Sequence, residues 1–196
     1  SFSVAFDDVT RVFDARPNEQ LMGLQIVVSR GHTVFMADTR VHEVPSAEEL
    51  ADIATQSAAY ARTFGHEPRV ALLSFSNFGQ PMRDNAQRIR DAVSILDQRK
   101  VDFEYDGEMA VDTALNHDLM QKLYPFCRLS GPANVLVVPT LHCGSIASKL
   151  LQEMGGGTVI GPILLGLEKS VQIVQMGATT QDLLNAAVLA ANDASS

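Results

Sequence analysis

The chain has 196 residues, of which 46% are apolar and 19% charged, and its formal net charge at pH 7 is −8. This apolar fraction supports a buried core and excludes a disordered chain. The acidic balance argues against nucleic acid or an anionic membrane as a partner held by charge. No apolar run reaches the about 18 residues of a membrane-spanning helix, and the first residues lack the features of a secretion signal. The isolated Cys127 and Cys143 form no metal motif, so we expect a reduced, cytoplasmic setting and no metal site.

The first third of the chain predicts a hairpin followed by a well-capped helix. Residues 1–19 are interpreted as a lead-in segment. Two apolar runs that flank a short turn predict a β-hairpin over residues 21–37, at an edge of the sheet or in a dimer contact. A helix is predicted over residues 45–65, because Ser46 and Glu49 have the spacing of a capping box.

Further along the chain, buried strands alternate with helices. Such a pattern is typical of a mainly parallel sheet with helices on both faces, which is an α/β fold of three α/β/α layers. Ligands bind at the carboxyl ends of the strands in sheets of this kind. The strands are predicted near residues 69–74, 101–105, 134–138, 158–165 and 171–174, and polar or glycine-containing loops follow three of them at 74–79, 139–145 and 175–180.

Two of these loops offer groups for a ligand, with a structural alternative for each. Ser74, Ser76 and Asn77 carry hydrogen-bonding side chains and Gly79 permits a tight turn, although these are also ordinary loop residues. In the second loop, His142 beside Cys143 suggests a catalytic pair, but adjacent residues on a turn usually point apart and no third group would orient the histidine. We therefore interpret both as structural.

The second loop also contains a candidate helix cap. Ser145 is a plausible N-cap for the helix that follows, whose N-terminus could face an anion. Three acidic residues lie elsewhere, between 106 and 112. They could serve a metal or act as a base, but we interpret them as helix-capping groups.

The third loop reads as a strand, a turn and the start of a helix. Gly177 ends an apolar run, and Thr179 and Asp182 then have capping-box spacing. A helix N-terminus that follows such a turn often holds phosphate. However, no Lys or Arg lies between Lys169 and the C-terminus. The residues alone leave open whether this is an anion site or only a well-capped helix.

Five segments in order resemble the phosphate acetyltransferase (phosphotransacetylase) family. They are "FMADTRVHEVPSAEELADIA", "EPRVALLSFSNFG", "DFEYDGEMAVDTALN", "GPANVLVVPTLHCGSIASKLLQ" and "IGPILLGLEKSVQIV". The resemblance covers nearly all of the chain after about residue 20. It implies a two-lobed fold related to isocitrate dehydrogenases, acetyl transfer between CoA and phosphate in the cleft, and a dimer.

Several positions depart from the pattern of active members of this family. Met176 stands where the resemblance places an Arg that binds phosphate or CoA, whereas Asp182 occupies the position of the base that acts on the CoA thiol. Thr140 and Ser145 replace an Asp and an Asn, and Phe78 replaces a common Lys. The resemblance therefore implies no catalytic residues, with Met176 and Asp182 as degenerate equivalents.

The pattern is closer to the phosphotransacetylase-like C-terminal domain of bacterial NADP-dependent malic enzymes. That resemblance implies a non-catalytic domain that binds acetyl-CoA as an effector and assembles a homo-oligomer, a dimer or higher. NADP and Mg or Mn would belong to a catalytic part outside this chain. An active phosphate acetyltransferase and a purely structural oligomerisation domain remain the alternatives.

The resemblance also implies how the chain divides and which residues meet the ligand. Residues 20–165 would form one lobe, and 166–196 would be a strand and a helix of a second lobe that is mostly absent. The expected ligand contacts are Ser76, Asn77, Gly79, Thr140, His142, Ser145, Gly161, Gly177, Thr179 and Asp182.

Overall fold

A computed structural model describes residues 2–82, 84–155 and 157–194. In these ranges the chain forms a six-stranded sheet with helices on both faces. The strands are β1 (Met22–Ser29), β2 (His32–Ala37), β3 (Arg69–Leu73), β4 (Glu104–Met109), β5 (Val135–Val137) and β6 (Thr158–Leu165). The helices are α1 (Phe2–Thr10), α2 (Ala47–Thr63), α3 (Asp84–Arg99), α4 (Val111–Leu115), α5 (His117–Leu123), α6 (Leu141–Glu153) and α7 (Thr180–Asp193).

The sheet is mostly parallel, as the sequence predicts. Its strand order is β4-β3-β5-β2-β1-β6, and neighbouring strands from β4 to β2 are parallel. β1 alone runs against its neighbours, because it is antiparallel to both β2 and β6. The other five strands therefore point in the same direction, and their carboxyl ends lie together at the same end of the sheet.

The predicted hairpin forms, but its predicted position at a sheet edge is wrong. β1 and β2 lie inside the sheet, with β6 on one side and β5 on the other. The reason is visible in the burial of β1, which is buried on both faces from Met22 to Val27. A strand with two apolar faces needs strand neighbours and helices around it.

Two strand predictions also need correction. Residues 171–174 form no strand; instead the side-chain amide of Gln172 bonds the backbone N–H and C=O of Leu164 at 2.9 and 3.1 Å. This amide satisfies backbone groups of β6 that a neighbouring strand would otherwise pair. The strand predicted at 101–105 lies further on, at Glu104–Met109, because its pairing with β3 continues to Met109.

Helices cover both faces, which confirms the three-layer fold. α2 and α3 pack on one face over a core that includes Leu24, Phe35 and Ile89. On the other face, α4, α5 and α6 lie over Met36 and Leu136. Each fully buried side chain of this size contributes roughly 1.5–3 kcal/mol to stability. No helix within the described ranges is long and apolar enough to cross a membrane.

The capping box predicted for α2 is confirmed. The Ser46 hydroxyl accepts from the Glu49 N–H at 3.2 Å, and the Glu49 carboxylate accepts from the Ser46 N–H at 2.7 Å. The bond from Ser46 lowers the pKa of Glu49. This local pattern is reliable because it depends only on residues three apart.

Candidate functional site

Two depressions lie beside α6, and different residues of that helix line each of them. The first is a groove of about 1440 Å³ over β2, β5 and β3, which we call the sheet groove. The second is a pocket of about 370 Å³ between α6, β6 and α7, which we call the β6 pocket. α6 lines the sheet groove with Cys143 and Leu150, and the β6 pocket with Lys149 and Glu153.

The sheet groove is mainly apolar. Met36, Leu136 and Val138 of the sheet and its edge form part of its floor, and Leu115 and Leu150 lie on its walls. Several apolar side chains beside it are exposed to solvent, among them Phe75, Val111, Ile146, Leu150 and Met154. A surface of this composition suits an apolar partner better than a charged ligand.

The β6 pocket is polar and lies over an irregularity in the sheet. The pairing of β1 with β6 shifts register between Leu24 and Ile26, so that Gln25 lies opposite the shift. Gly161 allows this geometry, because its φ is +114° and a Cβ there would lie 2.9 Å from the carbonyl oxygen of Leu24. Such bulges commonly re-aim side chains next to binding sites.

Arg40 extends into the same pocket from the carboxyl end of β2. Its stem crosses Gly23, where a Cβ would lie only 2.5 Å from the Arg40 Cβ. Burial lowers the pKa of Arg40, and the nearby Asp38 opposes that shift. The sequence prediction missed both Arg40 and Gln25. A glycine and a glutamine within the apolar strand "MGLQIVV" are the signals that could have indicated a close approach and a buried polar site.

Asp38 itself is fully engaged within the fold. Its buried carboxylate accepts from the backbone N–H groups of Gly23 and Arg40 at 2.9 and 2.8 Å. It also bonds His42 Nδ1 at 2.7 Å, and this bond is the main reason that the pKa of His42 is raised. The pair lies in the turn after β2, four residues apart in the sequence.

The predicted ligand residues near the C-terminus lie at the β6 pocket. Gly161, Gly177 and Asp182 line it, and Thr179 is the N-cap of α7 beside it. The capping box is confirmed: one Asp182 oxygen accepts from both the N–H and the hydroxyl of Thr179 at 2.8 Å. The first of these bonds is the main reason that the pKa of Asp182 is lowered. Met176 is fully exposed and does not line the pocket.

In the loop at 74–79, Ser74 lines the sheet groove, whereas Ser76, Asn77 and Gly79 line neither depression. The Ser76 hydroxyl and the Gly79 N–H donate to Glu108 Oε1 at 2.6 and 3.0 Å. Asn77 accepts from the N–H of Ala110 at 2.8 Å. These polar groups therefore hold the loop in place, and they are not directed at a ligand.

Two of the three acidic residues interpreted as helix caps instead form ion pairs. Glu108 is fully buried and pairs with Arg90 at 2.8 Å, and Asp106 pairs with Arg128 at 3.3 Å. The capping interpretation is wrong for these two, because both lie within β4. Asp112 does lie in the first turn of α4.

Phe78, at the position where the resemblance implies a Lys, packs against other aromatic side chains. Its ring centroid lies 5.2 Å from that of Tyr124 and 5.0 Å from that of Phe126. Tilted and edge-to-face contacts at this spacing are favourable for aromatic pairs. The aromatic cluster therefore helps to hold the loop, in addition to the contacts with Glu108.

The prediction of Ser145 as an N-cap is wrong. α6 begins at Leu141, and its N-cap is Thr140, whose hydroxyl accepts from the Cys143 N–H at 3.3 Å. The earlier start is possible because Thr140 has extended backbone and an oxygen that can cap. His142 and Ser145 therefore lie within the helix and line neither depression.

The predicted residues are thus not brought together in one cleft. Thr140 lies at the sheet groove, whereas Gly161, Gly177 and Asp182 line the β6 pocket. The described residues contain no cluster of three or more His, Cys, Asp or Glu side chains that could hold a metal ion.

Comparison with known proteins finds similar sequences in malic enzymes and in phosphate acetyltransferases. It is 55% identical over 194 residues to an NADP-dependent malic enzyme of Rhizobium meliloti, covering 99% of this chain and 25% of that protein. It is 36% identical over 169 residues to the phosphate acetyltransferase of Bacillus subtilis, covering 86% of this chain and 52% of that enzyme. The chain therefore spans about a quarter of the malic enzymes and half of the acetyltransferase that it matches.

The structural comparison agrees with these relatives. A phosphotransacetylase from Streptococcus pyogenes superposes with a TM-score of 0.91 at 29% identity, over 99% of this chain and 60% of that one. The sequence profile described as phosphate acetyl/butaryl transferase matches residues 3–191. The chain belongs to the phosphate acetyl/butaryl transferase family, and its resemblance to the phosphate acetyltransferase-like part of malic enzymes is confirmed.

Proposed function

We propose that this chain is a non-catalytic accessory domain of a malic enzyme and that it binds acetyl-CoA as an effector. The observation that supports the proposal is that the turn before α7 has an exposed methionine in place of a cation and an acidic residue engaged in helix capping. Met176 is fully exposed there, and Asp182 is bonded to Thr179 in the capping box. In the parent protein, we propose, a catalytic part elsewhere oxidises and decarboxylates malate with NADP and Mg or Mn.

The physical argument rests on what a cation at position 176 would contribute. A charge-assisted hydrogen bond to phosphate contributes about 1.5–3 kcal/mol. The N-terminus of a helix alone contributes about 0.3–1 kcal/mol. The absence of a cation at position 176 therefore removes one charge-assisted contact that would stabilise acetyl transfer to phosphate. Binding of a CoA thioester can persist, because it also uses uncharged contacts.

An assay of acetyl phosphate formation tests the non-catalytic part of the proposal. We expect the chain, supplied with acetyl-CoA and phosphate, to form acetyl phosphate at the background rate. Turnover above background that Asp182→Ala abolishes would instead support the alternative of an active phosphate acetyltransferase. Calorimetric titration with acetyl-CoA tests the effector part, and a chain that binds none would leave the purely structural alternative.

We further propose that the chain forms a homodimer through the sheet groove and the exposed side of α6. The groove is apolar, and apolar side chains such as Ile146 and Met154 project beside it. A two-fold interface must be self-complementary, and an apolar groove next to an apolar ridge meets this requirement within one surface.

Light scattering at micromolar concentration tests this association. We expect a dimer for the unmodified chain and a monomer for Leu150→Glu, which places a charge in the groove. Val188→Glu, at an equally exposed apolar position on α7, is the matched control and should remain a dimer. A monomer in the unmodified chain, or a dimer in Leu150→Glu, would contradict the proposed interface.

A further inference from the structure

The charged side chains that line the sheet groove are all cationic. Arg30, Arg69 and Arg88 line it together with His32 and His66, and none of the described residues that line it is Asp or Glu. This composition contrasts with that of the whole chain, whose formal net charge is −8. An apolar groove that carries positive charge alone favours an apolar ligand with one anionic group.

The groove arginines also differ from other arginines of the chain in their partners. Ion pairs form at Arg11, Arg16, Arg62, Arg90, Arg99 and Arg128, all of which lie outside the groove. Within the described ranges, no ion pair involves Arg30, Arg69 or Arg88. Arg69 Nε donates to the Pro132 carbonyl oxygen at 2.8 Å, and this bond orients the guanidinium without neutralising its charge. The three charges are therefore available to an anion.

Most of these cationic groups lie at one end of the groove. β2 begins at His32 and β3 at Arg69, and both strands are parallel to β5 between them, so their amino ends lie at the same end of the sheet. Arg30 lies in the turn before β2, and His66 lies just before β3. Arg88 lies at the opposite end, where it bonds the segment after β5. The amino end therefore offers the stronger site for an anionic head group.

An apolar floor runs along the strands from this cationic end. Val34 and Met36 of β2 and Leu136 of β5 belong to it, and Leu115 and Leu150 lie on the walls. β2 has six residues and is therefore about 20 Å long. The groove volume of about 1440 Å³ exceeds the roughly 300–1,000 Å³ that is typical of sites for compact ligands. A long, flexible apolar chain suits this shape better than a compact molecule.

We propose that the sheet groove binds a long-chain fatty acid, with its carboxylate at Arg30 and Arg69 and its acyl chain along β2 and β5. This site goes beyond the proposed function and does not depend on acetyl-CoA. It begins at the amino ends of the parallel strands, opposite to the carboxyl ends where ligands bind in sheets of this kind. Because the proposed homodimer uses the same groove, a bound fatty acid should exclude the second copy.

Calorimetric titration with laurate tests the site. We expect laurate to bind saturably and hexanoate to bind at least about tenfold more weakly, because each fully buried methylene contributes about fourfold to affinity. Dodecyltrimethylammonium, which carries a similar chain on a cationic head, should not bind where laurate saturates. Arg69→Met should weaken laurate binding about tenfold, because a half-buried charge-assisted contact is lost. Arg30→Met, at an exposed position, should weaken it roughly twofold to fivefold.

The matched control is Arg11→Met, which removes the same charge at an exposed position outside the groove. It should bind laurate as the unmodified chain does. Arg69→Lys keeps the charge, so it should retain more affinity than Arg69→Met and it keeps the test valid if Arg69→Met does not fold. Laurate should also raise the melting temperature and slow thiol labelling of Cys143, which is exposed and lines the groove, whereas Cys127 is buried.

Several results would overturn the site. They are no saturable binding of laurate, a melting temperature that falls as laurate is added, or equal laurate affinities of the unmodified chain, Arg30→Met and Arg69→Met. A dimer that Leu150→Glu dissociates, in a chain that binds no laurate, would assign the groove to a second copy alone. If the unmodified chain is a dimer, saturating laurate should convert it to a monomer in light scattering, and a dimer with laurate bound would overturn the placement in this groove.

Discussion

Removal of Arg90 should destabilise the fold strongly, because it leaves a buried carboxylate without its cation. Glu108 is fully buried, and both of its oxygens lie within hydrogen-bond distance of Arg90 Nη1, at 3.0 and 2.8 Å. In Arg90→Met the carboxylate keeps two donors among the described residues, the Ser76 hydroxyl and the Gly79 N–H. The free energy of unfolding should therefore fall.

The size of this loss follows from the burial of the pair. Removing one partner of a buried ion pair typically costs about 3–5 kcal/mol. Because the Arg90 side chain is 20% exposed and two donors remain, we expect the lower end, about 3 kcal/mol. For a chain of this length that corresponds to a fall in melting temperature of roughly 6–12 °C.

Urea unfolding followed by circular dichroism measures the change. The double variant Arg90→Met with Glu108→Gln should be more stable than Arg90→Met alone, because it removes the uncompensated charge and keeps an acceptor for Ser76. Arg62→Met, in an exposed ion-pair network, is the control and should leave the midpoint unchanged. A loss below about 1 kcal/mol in Arg90→Met would refute this reasoning.

Three further changes test other parts of the structure. Asp182→Asn should cost at most about 1 kcal/mol and leave acetyl-CoA affinity unchanged, since Asn can still accept from the Thr179 N–H; a clear loss of affinity at constant melting temperature would instead make Asp182 a ligand contact. The pKa of His42 is raised, so protonated His42 stabilises the fold. This contribution to the free energy of unfolding should be fully present below about pH 6.5 and should be lost as the pH rises through the raised pKa. His42→Gln should remove this pH dependence in unfolding curves recorded from pH 6 to 8, and an unchanged dependence would contradict the assignment. Gly166→Ala should lower the melting temperature, because φ is +92° and a Cβ would overlap the carbonyl oxygen of Gln20; an unchanged melting temperature would show that this backbone can shift.

Features encoded by neighbouring residues were predictable from the sequence. The capping boxes at Ser46 and Thr179 depend on two residues three apart, and both form. The alternation of strands and helices likewise indicated the three-layer fold. The predicted start of α6 was wrong because Thr140 and Ser145 can both cap a helix, and the choice between them depends on packing. Gly144 packs closely against the turn after β2, where a Cβ would lie 2.9 Å from the Asp38 carbonyl oxygen.

Features that depend on distant contacts were not predictable. The hairpin lies inside the sheet because β6 pairs with β1 and β5 pairs with β2. Both partner strands are more than 95 residues away from the hairpin in the sequence. The β6 pocket requires the register shift opposite Gln25 and the passage of Arg40 over Gly23. Neither can be derived from local spacing, because each joins residues of separate elements.

The central claim is that the chain binds acetyl-CoA and does not transfer its acetyl group. The most direct measurement is one calorimetric titration of acetyl-CoA into the chain in phosphate buffer, because binding releases heat only briefly after each injection whereas turnover releases heat continuously. We predict brief, saturable heats with no sustained signal. A sustained heat flow after each injection, or no binding heat at all, would contradict the account.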